Sequence, residues 1–94
     1  MTQFIVRVEL HNADASHYER LHEIMHNAGF GNAILGEDGK AYRLPAAEYH
    51  GKSDDAETAT SVRVFLQARI ATIGVGFLLL VTRAQDIAWY LELA

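Results

Sequence analysis

The sequence predicts a single α+β domain running strand–helix–strand–strand–helix–strand, and three observations predict it. Gln3 to Leu10 alternates apolar and polar residues with a period of two. Two later stretches carry apolar residues at helical spacing, and each ends on a glycine, Gly29 and Gly74. The run from Ile73 to Val81 is almost wholly apolar, as a buried strand would be. A chain of 94 residues that is 50% apolar and 21% charged has the composition of one small globular domain spanning residues 1–94.

Each element follows from its residues. In the first strand Phe4, Val6, Val8 and Leu10 face one way and Ile5, Arg7 and Glu9 the other. After the loop His11–Ala15, Ser16 and Glu19 have the spacing of a capping box, and Tyr18, Leu21, Ile24, Met25 and Ala28 form a helical stripe. Phe30 to Leu35 reads as a second strand. Glu37-Asp38-Gly39-Lys40 is a turn signal, because Asp-Gly tolerates positive φ, and Ala41 to Leu44 continues as the third strand. Pro45 interrupts pairing, and Ala46 to Ser53 reads as irregular extended chain or a short extra arm.

Asp54 and Glu57 mark the start of the second helix, whose apolar face is Ala59, Val62, Phe65, Leu66, Ile70 and Ile73. Arg69 falls inside that arc, either snorkelling at the helix end or facing an anion site between helix and sheet. Val75 to Arg83 is the fourth strand. Ile87, Trp89, Leu91 and Leu93 alternate with Ala88, Tyr90 and Glu92, which favours a fifth, C-terminal strand over a terminal helix.

This order is the ferredoxin-like split βαβ arrangement: a four-stranded antiparallel sheet of order 4-1-3-2 with both helices on one face. The fourth strand is apolar on both parities, with Phe77, Leu79 and Val81 on one and Leu78 and Leu80 on the other. One set would stay wet in a monomer. A homodimer, coverage by the C-terminal strand, or both are therefore expected.

Composition narrows function by exclusion. With no cysteine there is no disulfide, no thiolate nucleophile and no cysteine-based zinc site, which fits a reducing cytoplasm. The net charge of -4 argues against a general nucleic-acid coat or an anionic-membrane binder. A membrane span needs about 20 apolar residues, more than the run from Ile73 to Val81 supplies, and the first residues lack a secretory pattern. No membrane partner and a cytoplasmic location are expected.

Four groups of residues bear on chemistry. His22-Glu23-Ile24-Met25-His26 matches H-E-x-x-H, which on a helix can share a zinc ion between two imidazoles. Leu21, Met25 and Ala28 take the buried stripe, so His22 and His26 should face water and no metal site is assigned. His11 follows the first strand, close to Glu9 and Asp14, where a histidine and carboxylates can do acid–base work or hold a divalent ion. Arg7 and Arg43 are expected on neighbouring strands and, with Tyr42, Tyr49 and Phe30, would form a surface of cations and stacking rings for single-stranded RNA. Gly29-Phe30-Gly31 and Gly74-Val75-Gly76 lack the spacing and placement of phosphate loops.

Residues 4–13, Tyr18-Glu19-Arg20-Leu21-His22, Ala28-Gly29-Phe30 and residues 38–49 together resemble small bacterial proteins of the GhoS family, which includes the antitoxin of type V toxin–antitoxin systems. The resemblance implies a ferredoxin-like fold similar to a small CRISPR-associated nuclease, and endoribonuclease action on single-stranded toxin messenger RNA. No catalytic motif carries over residue by residue. Where the CRISPR-associated proteins have a metal-binding aspartate closing the first strand, the nearest groups here are Glu9, His11 and Asp14.

Overall fold

The computed structural model describes all residues 1–94. In chain order the elements are β1 (Thr2–Leu10), α1 (Ala15–Asn27), β2 (Ala33–Leu35), β3 (Ala41–Arg43), β4 (Glu48–Ser53), α2 (Ala59–Ile70) and β5 (Phe77–Ala84), with a 3₁₀ turn at Ala71–Ile73 between α2 and β5. The protein is α+β, with two helices and five strands in two sheets. One is a three-stranded sheet of order β4-β1-β5, antiparallel throughout, and the other is the hairpin β2-β3.

The alternation in β1 does what its pattern dictates. Phe4, Val6, Val8 and Leu10 are buried and meet Leu21 and Met25 of α1 and Val62, Leu66 and Ile70 of α2. Both helices therefore cover the same face of β1. Fully burying one such aliphatic side chain is worth about 1.5–3 kcal/mol, and this layer is the core. The opposite face is open. Its rows across the sheet read Ile5 with His50 and Thr82, then Arg7 with Glu48 and Leu80, then Glu9 with Leu78.

The expected four-stranded sheet is not formed. The strand that takes the expected third-strand place beside β1 is Glu48–Ser53, the segment expected to be irregular, while Ala41–Arg43 forms its ladder with Ala33–Leu35. Beyond β4 there is a single isolated bridge, Gly31 with His50. The physical reason lies at Gly51. A Cβ there would stand 2.5 Å from Phe30 Cδ1 and 2.8 Å from the Gly29 carbonyl. Phe30 fills the core position that a side chain on β4 would otherwise occupy. Only Tyr49 is left as a large apolar signal in β4.

Three further expectations are corrected. Asp14, not Ser16, caps α1: its carboxylate accepts from the backbone N–H groups of Ser16 and His17, and the His17 ring accepts the Asp14 N–H at 3.0 Å. Thr58, not Asp54, caps α2, paired reciprocally with Ser61. Asp54 instead closes the preceding turn, accepting from the N–H groups of Ala56 and Glu57. The C-terminal segment is not a strand. It is extended chain touching β3 through one bridge, Tyr42 with Leu93, and two flanking bonds, Arg43 N–H to the Glu92 carbonyl and Ala94 N–H to the Ala41 carbonyl.

Candidate functional site

The site forms where β1 outruns its neighbour. Pairing between β1 and β4 stops at Arg7 and Glu48. Past that point the Val8 N–H donates to the Ala47 carbonyl (3.0 Å) and the Leu10 N–H to the Tyr18 hydroxyl (3.3 Å). The result is a cleft of about 540 Å³ between the end of β1, the start of α1 and the loop after β3. Arg7, Glu9, Tyr18, His22 and Arg43 line it, and Ala47 stands on its rim. Ala47 adopts φ 56°, a left-handed conformation that costs a residue with a Cβ roughly 1–2 kcal/mol.

Arg7 and Arg43 thus share a cleft, although not by the route expected. β3 does not neighbour β1; Arg43 reaches the cleft as the last residue of β3, next to the loop Leu44–Ala47 that also lines it. Neither guanidinium is held in an ion pair with a carboxylate. Glu9 and His11 form a second grouping. His11 Nε2 lies 3.2 Å from Glu9 Oε2, and both side chains are accessible to water. The His11 backbone is anchored to β5 through its N–H bond to the Gly76 carbonyl (2.8 Å).

Asp14 does not join them, because its carboxylate serves the start of α1. The bond from the Ser16 hydroxyl and then the His17 backbone N–H hold its carboxyl below the usual range. Tyr42 is also placed elsewhere. Its hydroxyl donates to Asp38 Oδ2 (2.5 Å) and its ring packs at a tilt against Trp89. Phe30 and Tyr49 are buried, so the expected surface of stacking rings does not exist. Arg69 lies over the Phe65 ring at 3.5 Å and donates to the Phe65 carbonyl, so it faces no anion site.

His22 was expected simply to face water. It is exposed, but its Nδ1 lies 2.6 Å from the hydroxyl of buried Tyr49. Burial, and then the charge of Tyr18, push the Tyr49 hydroxyl pKa far up, so it stays protonated and can donate to Nδ1. In that tautomer the neutral ring keeps its proton on Nε2. Spacing could not reveal this contact, because Tyr49 sits in a stretch without strand periodicity. No three His, Asp or Glu side chains converge in a geometry that would hold a metal ion. Comparison with known protein families finds none that matches the chain, and none of the curated proteins matches it.

Proposed function

We propose that this protein binds unpaired RNA in the Arg7–Arg43 cleft and cleaves it by metal-independent acid–base chemistry. One observation carries the reading: two arginines from separate elements, neither paired with a carboxylate, line one cleft together with an imidazole held by a buried tyrosine. Free guanidiniums are suited to phosphate oxygens, and a cleft at a strand end admits a splayed single strand more readily than a duplex. The resemblance to the GhoS family points the same way. The corresponding fold reading is a ferredoxin-like domain whose second strand has contracted to the bridge at Gly31, with β2-β3 as an inserted hairpin. A cytoplasmic location, where the target would be messenger RNA, belongs to the same reading.

In the proposed reaction His11, paired with Glu9, takes the proton of a ribose 2′-hydroxyl. The freed oxygen attacks the adjacent phosphorus. Arg7 and Arg43 stabilise the charge that develops on the phosphate oxygens. The bond to the 5′ oxygen breaks, and that oxygen takes a proton from water while His11 releases to solvent the proton it accepted. The products are a 2′,3′-cyclic phosphate and a 5′-hydroxyl. The test is incubation with labelled single-stranded and duplex RNA, with magnesium and with chelator. Cleavage of the single strand in both conditions, lost in His11→Ala, is the expected result. Cleavage that needs magnesium, or that survives in a His11→Ala, Arg43→Ala double variant, rejects the mechanism. Failure to bind any RNA rejects the function and leaves a non-catalytic dimer that binds a protein or small ligand.

A further inference from the structure

β5 is the free edge of the three-stranded sheet, and nothing in its sequence protects it. Edges are normally blunted by lysine, proline, bulges or brevity. β5 instead runs Phe77-Leu78-Leu79-Leu80-Val81 before it reaches Thr82 and Arg83. On the open face Leu78 is 59% and Leu80 64% exposed, while Phe77, Leu79 and Val81 on the helix side are only partly covered.

The direction of the unpaired backbone groups follows from the ladder. His11 N–H bonds to the Gly76 carbonyl in register with the β1–β5 pairing. In an antiparallel pair such bonds recur at every second residue. Leu78, Leu80 and Thr82 therefore turn their N–H and C=O groups toward β1. Phe77, Leu79 and Val81 turn theirs toward the free edge.

We infer that a second copy of this chain pairs with β5 antiparallel, about a two-fold axis at Leu79. In that register Leu79 faces the partner's Leu79, Phe77 faces the partner's Val81, and each such pair exchanges two backbone hydrogen bonds. On the open face Leu78 stands beside the partner's Leu80. Every position from Phe77 to Val81 then meets an apolar residue, because the segment is an apolar palindrome. Charge agrees with this. Each open-face row becomes Glu9, Leu78, the partner's Leu80 and the partner's Arg7, with opposite charges at its two ends. Shifting the axis to Leu80 would set Phe77 against the partner's Arg83 and Leu78 against the partner's Thr82. The two sheets join into one, and each subunit keeps its own RNA cleft, so the pairing does not depend on the RNA reading.

The chain has no cysteine, so introduced thiols report the register directly. Leu78→Cys and Leu80→Cys alter exposed side chains and spare the core. In the inferred register these two positions stand opposite one another between chains, within disulfide reach. The expected result is a dimer by light scattering at roughly tens of micromolar, a range where association follows mass action. Under mild oxidation, a disulfide-linked dimer should form when the two variants are mixed and in neither variant alone. Cross-linking of Leu80→Cys with itself would overturn the register. A full chain that is monomeric at that concentration, with native circular dichroism, would overturn the pairing whatever RNA assays show.

Discussion

Arg7 and Arg43 are the residues on which phosphate recognition turns. Replacing either with alanine is expected to weaken single-stranded RNA binding and to reduce the slope of log affinity against log salt by about one unit each. Fluorescence anisotropy at several salt concentrations measures it. An unchanged slope in both variants would remove them from the interface. Tyr49 offers a second measurement at this scale. Its hydroxyl loses a proton less readily in the folded chain than in the unfolded one, because burial disfavours the phenolate. Below pH 10 this has no effect. Above it the unfolded chain deprotonates first, so stability falls as pH rises. Denaturant melts should show that alkaline loss in the wild type and a flatter limb in Tyr49→Phe. The same substitution removes the hydroxyl that orients His22, at a cost of about 1 kcal/mol at neutral pH.

At the scale of elements, Gly51 decides which segment flanks β1. Gly51→Ala would drive a methyl into the Phe30 ring and the Gly29 carbonyl, and is expected to destabilise by about 1–3 kcal/mol. Chemical denaturation checks it, and a neutral result would mean that the β4–Phe30 contact yields easily. Thr58→Ala should cost about 1 kcal/mol by uncapping α2, while Asp54→Ala should leave the helix start intact. Elements that carry their own pattern were legible in the sequence: β1 from strict alternation, α1 from its stripe, and β5 from its apolar run. β4 was not, because its inward positions are Tyr49 and a glycine. The third strand, Ala41–Leu44, does not take its expected place beside β1, because Asp38-Gly39 announces a hairpin locally and says nothing about which sheet that hairpin joins. Helix caps were read a residue or more off, because Asp14, Ser16, Asp54 and Thr58 are all competent caps and the choice depends on backbone direction. Strand parity put Arg7 and Glu9 on one face, and closeness in sequence put His11 beside Glu9, while Arg43 shares the cleft with Arg7 although its strand does not neighbour β1. The bond between Tyr49 and His22 was not legible, since it joins segments with no shared period.

Across the whole molecule, the hairpin β2-β3 and the C-terminal segment form one unit beside the three-stranded sheet. Tyr42 packs against Trp89, Leu93 bridges Tyr42, and the backbone of Arg43 is tied to Glu92. The unit is light. Its hairpin strands are three residues each, and an isolated two-stranded hairpin is marginal in water. Ending the chain at Gln85 should therefore leave the core of β1, β4, β5 and both helices folded. It should release residues 33–43, seen as loss of amide-exchange protection there and nowhere in β1. Arg43 leaves the hairpin at its tied end, so the truncation should also weaken single-stranded RNA binding about as much as Arg43→Ala does. If binding fell in the truncated chain but exchange in residues 33–43 stayed native, the C-terminal segment itself would be touching the RNA. If neither changed, Arg43 would be held by the loop after β3 alone, through Leu44 N–H to the Asn32 carbonyl at 2.9 Å, and the cleft would be independent of the segment that packs beside it.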